Sequence, residues 1–176
     1  MSARFAPLMI ISGVLGGLSA SQAQQAPSGN PLDAIPEKMP FDVPYGAPIT
    51  LERALAAIAA TVSEAHKHDW KLNVAVVDSG GNLVAFERMD GAQLASIQVS
   101  EHKARASVMY RRETRAFENA IQQSNYNYVM TLDGMIGSRG GIPLVEGGKL
   151  IGAIGCSGGT GSQDEVACKA GVATIK

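Results

Sequence analysis

Hydrophobic residues recur at helix and strand periods through most of the chain after residue 50. Residues 50–68 predict an amphipathic helix with Thr50 as its N-cap, because apolar residues recur every three or four positions. The apolar stripe consists of Leu51, Ala54, Leu55, Ile58, Val62 and Ala65. Two β-rich runs, 72–78 and 83–88, flank a glycine-rich turn and predict a hairpin. The first run is almost continuously apolar, which predicts a strand buried on both faces.

The second half of the chain adds two helices, a glycine-rich strand region and a C-terminal helix. Residues 93–110 predict a helix, and a shorter helical piece follows at 114–123. Short apolar runs separated by glycines predict two or three strands within 134–161. A final helix at 163–174 follows Ser162 and Glu165, which match a capping box. This order of elements predicts an α+β fold in which helices cover an antiparallel sheet.

The helix predicted at 93–110 has one apolar stripe, which we expect to face the sheet. Its members are Leu94, Ile97, Ala104 and Val108.

The first 48 residues differ in composition from the rest of the chain. Residues 1–23 predict a secretory signal peptide, because Arg4 precedes an apolar stretch that ends at a small-residue cleavage site. A retained membrane anchor is the alternative, although the apolar stretch of roughly 14 residues is shorter than the ~20 that span a bilayer. Export predicts a periplasmic or secreted protein with no membrane span after cleavage. Residues 24–48 hold six of the eight prolines and predict an extended arm, either a flexible tether or a segment that packs on a neighbouring subunit. The domain itself is expected at 49–176.

Charge and cysteine content exclude several classes of protein. The chain has 15 lysines and arginines against 16 aspartates and glutamates, a formal charge of -1. Because this balance creates no overall field that attracts polyanions, no nucleic-acid partner is expected. Two cysteines exclude both a disulfide-dense scaffold and a four-thiolate zinc site.

Five ordered motifs carry a resemblance to a known family. They are Val76-Val77-Asp78-Ser79-Gly80-Gly81-Asn82-Leu83-Val84, Arg88-Met89-Asp90-Gly91-Ala92, Lys103-Ala104, Gly140-Gly141-Ile142-Pro143, and Gly152-Ala153-Ile154-Gly155-Cys156-Ser157-Gly158-Gly159 with Asp164-Glu165. From about residue 50 to the C-terminus, the chain resembles the GlcG/HbpS haem-binding family. The resemblance implies a profilin-like α/β/α arrangement with a five-stranded antiparallel sheet and assembly into homo-oligomers, often octamers. It also implies binding of haem or another tetrapyrrole, for storage or sensing. Because other members lie beside glycolate or diol metabolism, the family alone does not determine the ligand.

The resemblance directs attention to the three histidines, since haem requires an axial ligand, apolar walls and cations for its propionates. His66, at the edge of the apolar stripe of its helix, is the first choice of iron ligand. His102, about 120° from the centre of its stripe at 100° per residue, is the second. Each can border apolar surface. His68 points away from the stripe of the first helix. Solvated helix histidines are the competing interpretation, and a methionine or Tyr110 is an alternative ligand.

The glycine-rich segment 155–162 is a second candidate site, with Gly158 and Gly159 as binding positions. It leads from a strand into a helix N-terminus, where amide N–H groups and the helix dipole favour an anion. Arg88 and Arg139 would add a carboxylate clamp if the fold brings them together. The competing interpretation is that the glycines only allow a sharp turn. The alternative to haem binding is therefore an enzyme or accessory factor for a small carboxylate or hydroxy acid, with no catalytic residue assigned.

Cys156 and Cys168 allow three interpretations. In an oxidising compartment, a disulfide between them would close a ring of about 13 residues and contribute on the order of 3 kcal/mol. Two reduced thiols are the second interpretation. A reactive Cys156 thiol at a helix N-terminus is the third.

Several charged residues in the motifs have structural interpretations. Asp78 is expected to accept hydrogen bonds from the turn that follows it. Asp164 and Glu165 are expected to serve the helix dipole and the capping box rather than acid–base chemistry. Lys103 is either a buried amine or a surface lysine with an extended side chain.

Overall fold

The computed structural model of the chain describes residues 34–176. The predicted signal peptide at 1–23 and residues 24–33 of the arm lie outside the described residues. The elements are α1 (Leu51–Lys67), β1 (Asn73–Asp78), β2 (Leu83–Arg88), α2 (Ala95–Met109), α3 (Arg115–Gln122), a 3₁₀ helix (Asn127–Thr131), β3 (Gly141–Glu146), β4 (Lys149–Ser157) and α4 (Gly161–Val172). Among the described residues, no helix combines the length and the apolar character needed to cross a membrane.

The strands form one antiparallel sheet in the order β2-β1-β4-β3. This confirms the expected α+β fold with an antiparallel sheet flanked by helices. The expectation of five strands is wrong, since the sheet of the described chain has four.

The segment at 44–49 lies where a fifth strand would be but forms only part of one. Its backbone bonds to the first residues of β4, where the amide of Leu150 donates to the carbonyl of Pro44 and the amide of Gly46 donates to that of Leu150. Tyr45 and Leu150 form an isolated parallel bridge. Pro44 and Pro48 have no N–H to donate, so a continuous ladder cannot form here.

The end of the proline-rich arm packs on its own chain. Val43 contacts the core between the sheet and α2. The Tyr45 hydroxyl lies 3.1 Å from the carbonyl oxygens of both Val108 and Met109, at the C-terminus of α2. The carbonyl of Val108 also accepts a hydrogen bond from the amide of Arg111, so Tyr45 adds a donor at a helix end whose last carbonyls lack i+4 partners.

Helices cover both faces of the sheet and give three layers. Along β1, Val74 and Val76 belong to the core under α1 and α4, whereas Ala75 and Val77 belong to the core under α2. The side chains alternate because successive residues of a strand point to opposite faces. β1 is therefore buried on both faces, as its apolar run predicts.

The contact of α2 with the sheet uses only part of the predicted apolar stripe. Ala104 and Val108 are fully buried against the sheet, as the stripe predicts, whereas Leu94 lies outside the helix and is exposed. Ser100, which is not part of the stripe, is also fully buried. A Cβ atom on Gly155 of β4 would lie 2.1 Å from the carbonyl oxygen of Ser100. The close approach of this helix to β4 therefore requires glycine on the strand and leaves no room for large side chains on the helix.

Two helix starts test the capping predictions. Thr50 is the N-cap of α1, as predicted, and its side chain accepts a hydrogen bond from the amide of Arg53. The predicted capping box of α4 is wrong by two residues, because the structure forms it between Thr160 and Gln163. Glu165 is left free for the ion pairs described below.

Candidate functional site

The structure places the two histidines favoured as iron ligands in different cavities. His102 lies on α2 and lines a cavity of about 500 Å³, which we call the His102 cavity. His66 lies near the end of α1 and lines a cavity of about 330 Å³, the His66 cavity. Both volumes fall in the range of sites for small molecules.

Three parts of the fold build the walls of the His102 cavity. These are the end of α2, the turn between β1 and β2, and the loop before β3. The lining residues are Gly80, Gly81, His102, Arg105, Met109, Tyr110, Asp133 and Gly134. Three glycines leave space, one arginine supplies a cation, and imidazole and thioether groups are possible iron ligands.

A hydrogen bond orients the imidazole of His102. Its Nε2 atom lies 3.1 Å from the carbonyl oxygen of Gly134. Because a carbonyl oxygen only accepts hydrogen bonds, Nε2 is the donor in this contact, and Nδ1 is the ring nitrogen left to bind a ligand. A backbone carbonyl bonded to the second ring nitrogen is the usual way in which a protein orients a metal-binding histidine.

Asp78 holds the turn that forms one wall of this cavity. Its Oδ1 atom accepts hydrogen bonds from the amides of Gly80 at 2.8 Å and Asn82 at 2.9 Å, and also from the Asn82 side chain. Burial by itself would raise the pKa of Asp78, but these hydrogen bonds outweigh it and lower the pKa. This is the turn-stabilising arrangement expected from the sequence.

Replacing Asp78 with alanine should lower the free energy of unfolding by about 1–2 kcal/mol at neutral pH, since two turn amides lose a charged acceptor. The folded pKa of Asp78 lies below its unfolded value, so its contribution is present above the unfolded pKa and is lost as the pH falls through the folded pKa. Urea unfolding of wild type and D78A should therefore show a stability difference at pH about 7 that shrinks toward pH about 3. A difference independent of pH would contradict a role for the Asp78 charge.

The His66 cavity has a different chemical character. Five of its six lining residues carry titratable side chains, and the sixth is Met89, whose side chain is buried. The lining residues are His66, Lys71, Glu87, Arg88, Met89 and Asp90. The structure thus brings together two predicted site residues, His66 and Arg88, but in polar surroundings.

His68 lies outside both cavity linings. Its ring stacks on Trp70 with the centroids 4.3 Å apart, and its Nε2 lies 3.4 Å from a carboxylate oxygen of Glu64. Both contacts are local to the end of α1. The residue therefore serves as a control for the other two histidines.

Arg88 and Arg139 do not form a common clamp. Arg88 lines the His66 cavity, whereas Nε of Arg139 donates to Glu118 at 2.6 Å and its Nη1 lies 3.5 Å from Glu165. The hydrogen bond to Glu118 is the main reason why the pKa of Arg139 is raised. Arg139 is thus engaged by carboxylates of its own chain.

At the glycine-rich segment 155–162, a carboxylate of the protein itself, that of Asp164, takes the place expected for a ligand anion. The amide of Gly159 donates to Oδ1 of Asp164 at 3.0 Å, and the amide of Thr160 donates to the Gln163 side chain at 2.8 Å. The amide of Gly159, one of the two predicted binding positions, is thus already bonded, and so is the amide of Thr160 that follows it. Gly158 has a φ of 152°, and a Cβ there would lie 2.2 Å from the carbonyl oxygen of Lys71. Its absence of a side chain serves close packing.

Lys103 and Asp164 form a buried ion pair that joins α2 to α4. Their side chains are 1% and 3% exposed, and Nζ lies 2.8 Å from Oδ2. The ammonium group also donates to the carbonyl of Cys156 at 3.0 Å. Burial raises the pKa of Asp164 even though the charge of Lys103 opposes the rise. Of the two interpretations of Lys103, a buried amine or a surface lysine, the structure shows the buried amine.

Cys156 and Cys168 form a disulfide in the structure, with their Cα atoms 5.8 Å apart. The bond joins β4 to α4, and both residues are fully buried. Cys156 is therefore not a free thiol in this structure. No group of three or more histidine, cysteine or acidic side chains able to hold a bare metal ion occurs within residues 34–176.

Sequence reasoning did not single out Arg105, Met109 or the glycines that line the His102 cavity. The two side chains carry a signal in their spacing, because they follow His102 by three and seven residues and so project from nearby faces of one helix. The glycines at 80, 81 and 134 come from distant segments. No local pattern joins them to His102.

Comparisons with known proteins converge on one group. The family described as haem degrading protein HbpS-like matches residues 49–173. Protein GlcG of Escherichia coli strain K12 is 38% identical over 109 residues, which cover 62% of this chain and 81% of that protein.

Two solved structures extend the comparison to the fold. A double mutant of Streptomyces reticuli HbpS is 28% identical, covers 81% of this chain and 97% of its own, and has a TM-score of 0.69. The structure described as a PduOC:heme complex is 24% identical, covers 74% of this chain and 96% of its own, and has a TM-score of 0.67. At this identity the second likeness concerns the fold alone.

Proposed function

Because this chain belongs to the HbpS-like family, we propose that it binds haem or a related tetrapyrrole in the His102 cavity. The proposal is supported by the family description, which names haem, and by a structural relative described as a heme complex. The observation that carries it to particular residues is the oriented imidazole of His102 in a cavity larger than the one that His66 lines.

The lining of the His102 cavity fits a haem better than that of the His66 cavity. A macrocycle needs room and weakly polar walls, and the glycines at 80, 81 and 134 together with Met109 provide both. The His66 cavity has a smaller volume and is surrounded by charged side chains that would have to lose water against an apolar ring. His102 thus replaces His66 as the preferred ligand.

Arg105 is suited to bind a propionate in this site. Its side chain is about half exposed, and its Nη2 lies 3.4 Å from a carboxylate oxygen of Glu101. An exposed pair of this kind contributes little to stability, so the guanidinium can exchange Glu101 for a ligand carboxylate at small cost. Bidentate bonding of carboxylates is the particular strength of arginine.

Replacing His102 with alanine should weaken hemin binding by at least about tenfold, since even the outer-shell partners of a metal site contribute 10- to 100-fold. The measurement is titration of purified protein with hemin, followed at the Soret band. H68A is the matched control, because His68 is a histidine at the C-cap of α1 that lies outside both cavity linings, and it should bind as wild type does.

The remaining histidine distinguishes the two cavities. Weakening by H66A with wild-type binding by H102A would move the site to the His66 cavity and overturn the assignment made here. A wild-type protein that gives no saturable Soret change, oxidised or reduced, would overturn haem binding as a whole.

We also propose that the protein acts outside the cytoplasm, as a homo-oligomer that stores or senses its ligand. The disulfide between Cys156 and Cys168 supports the location, because such bonds persist in oxidising compartments. The alternative function, binding of a small carboxylate at 155–162, finds no support in the geometry of that segment, whose Gly159 and Thr160 amides bond to Asp164 and Gln163.

A further inference from the structure

The end of the proline-rich arm contacts the part of α2 that forms one wall of the His102 cavity. Two residues of that wall, Met109 and Tyr110, are the last residue and the C-cap of α2. Residues 41–45 of the arm contact this end of the helix through side chains and backbone. No described residue of the arm lines the cavity itself. The arm therefore reaches the wall from behind, by two separate sets of contacts.

The first set of contacts is centred on Tyr45. Its hydroxyl lies 3.1 Å from the carbonyl oxygens of both Val108 and Met109, and it can donate to only one of them at a time. In the other direction, Nη1 of Arg111 donates to the carbonyl of Val43 at 3.2 Å. The guanidinium of Arg111 also lies 5.8 Å from the centroid of the Tyr45 ring. The arm and the helix end thus hold each other by hydrogen bonds in both directions.

The second set of contacts runs through the guanidinium of Arg112. Its Cζ atom lies 3.2 Å from the centroid of the Phe41 ring and 5.3 Å from that of Phe117, within the range in which an aromatic ring attracts a cation. Nε of Arg112 donates to the carbonyl of Tyr110 at 3.1 Å. The hydroxyl of Tyr110 donates in turn to the carbonyl of Asp133 at 2.5 Å. Contacts therefore run without a break from Phe41 to two lining residues of the cavity.

The end of α2 needs such support because a helix terminus lacks part of its backbone hydrogen bonding. Arg111 has a φ of 53°, so the helical backbone stops just after Tyr110. Met109 is 62% exposed, so burial does little to fix its position. Helix ends of this kind open more readily than the middle of a helix. Residues 41–45 supply the donors and the ring that hold this end in place.

We propose that residues 41–45 are a positioning element of the ligand site, in which Tyr45 and Phe41 hold Met109 and Tyr110 in place for the ligand. This inference rests on the haem-binding function proposed above. It assigns a role to a segment that precedes residues 49–173, the part of the chain that matches the family. The end of the arm then acts as a part of the site rather than as a tether, although it does not touch the ligand.

The test compares the hemin affinity of wild type, Y45F and F41A in the full chain. Y45F keeps the ring and removes only the hydroxyl, and it should weaken binding about three- to tenfold, the equivalent of one hydrogen bond. F41A should weaken binding about two- to fivefold, the equivalent of one cation–π contact. F41Y keeps a ring for Arg112 and should bind as wild type does. M39A is the matched control, since Met39 is 67% exposed and belongs to neither core cluster.

Two features of the experiment separate positioning from a merely structural role. Affinity is measured without denaturant, where nearly all molecules are folded, so a small loss of stability by itself leaves the affinity unchanged. Hydrogen exchange of the ligand-free protein adds a second readout. Y45F and F41A should speed exchange at the amides of Tyr110 and Arg112, which bond to carbonyls of α2, whereas M39A should not.

The outcomes distinguish this inference from the function on which it rests. Wild-type protein that binds hemin, together with Y45F and F41A variants of equal affinity, would overturn the role of the arm and leave haem binding intact. Unchanged exchange at Tyr110 and Arg112 in both variants would do the same. Absence of any saturable Soret change in wild type would overturn both the proposed function and the role of the arm in it.

Discussion

Replacing Lys103 with alanine should lower the free energy of unfolding by about 3–5 kcal/mol, because it leaves a buried carboxylate without its partner. Asp164 would keep the hydrogen bond from the amide of Gly159 but would lose the only cation bonded to it in the described chain. The carbonyl of Cys156 would lose a donor as well. The measurement is equilibrium unfolding in urea, followed by circular dichroism.

A variant at a separate ion pair of α4, with an exposed lysine, provides the matched control. Lys169 also bonds to an acidic residue of α4, Glu165, but its side chain is 52% exposed. K169A should therefore cost less than about 1 kcal/mol. A second variant, K103M/D164L, removes both buried charges and should recover most of the stability lost in K103A, since replacement of a whole buried pair by apolar groups is often neutral.

The loss in K103A should also depend on pH. Burial already raises the pKa of Asp164 in the presence of Lys103, and removal of the lysine charge would raise it further. The penalty for the unpaired carboxylate is therefore largest at high pH and decreases as the carboxyl becomes protonated. Equal losses in K103A and K169A, or a loss in K103A that does not change with pH, would contradict the ion-pair explanation.

Breaking the disulfide is expected to have the second largest effect, about 3 kcal/mol for a ring of this size. The ring spans 12 positions from Cys156 to Cys168 and ties the last strand to the last helix. In C156S/C168S the unfolded chain regains the freedom that the bond removes. Two serine hydroxyls would also occupy fully buried positions, which adds to the loss.

The contribution of the disulfide to stability can also be measured without introducing buried serines. Wild-type protein is unfolded in urea with and without a thiol reductant. The transition should move to lower urea when reductant is present throughout, and C156S/C168S should be insensitive to reductant. Identical wild-type transitions in the two conditions would mean that the bond contributes nothing to stability, and would remove its support for an extracytoplasmic location.

The buried ion pair and the disulfide are both close to the candidate site. The ion pair holds α2, and the disulfide holds β4, the strand that α2 covers. Lys103 is the neighbour of His102, and its side chain anchors this part of α2 to Cys156 and Asp164. The imidazole of His102 is oriented by the carbonyl of Gly134. We therefore expect K103A to disturb hemin binding as well as stability, whereas K169A should affect neither strongly.

Local signals in the sequence were sufficient for the elements and some of their ends. The spacing of apolar residues predicted α1, and Thr50 predicted its first turn, because a cap acts over three residues. The uninterrupted apolar run predicted that β1 is buried on both faces. Asp78 was assigned to the turn that it does stabilise. In each case the cause and its effect lie within one turn or strand.

No local signal in the sequence predicted the contacts between distant segments. The pairing of Lys103 with Asp164 joins residues 61 positions apart. Arg139 binds Glu118 and Glu165 rather than a ligand. The count of strands was wrong because, in the described chain, 44–49 bonds only to Leu150 and Ile151 of β4, and Pro44 and Pro48 cannot donate the hydrogen bonds that would extend the pairing.

The sequence by itself determined the family, the order of helices and strands, and the short list of histidines able to bind a haem iron. Only the tertiary structure decided that His66 shares a charged cavity with Arg88, and that His102 shares a roomier one with Met109 and three glycines. The physical reason is the separation along the sequence over which each interaction acts. Helix periodicity and capping act between residues a few positions apart, whereas a cavity is set by the packing of α2 against a turn and a loop that the chain reaches much earlier or later.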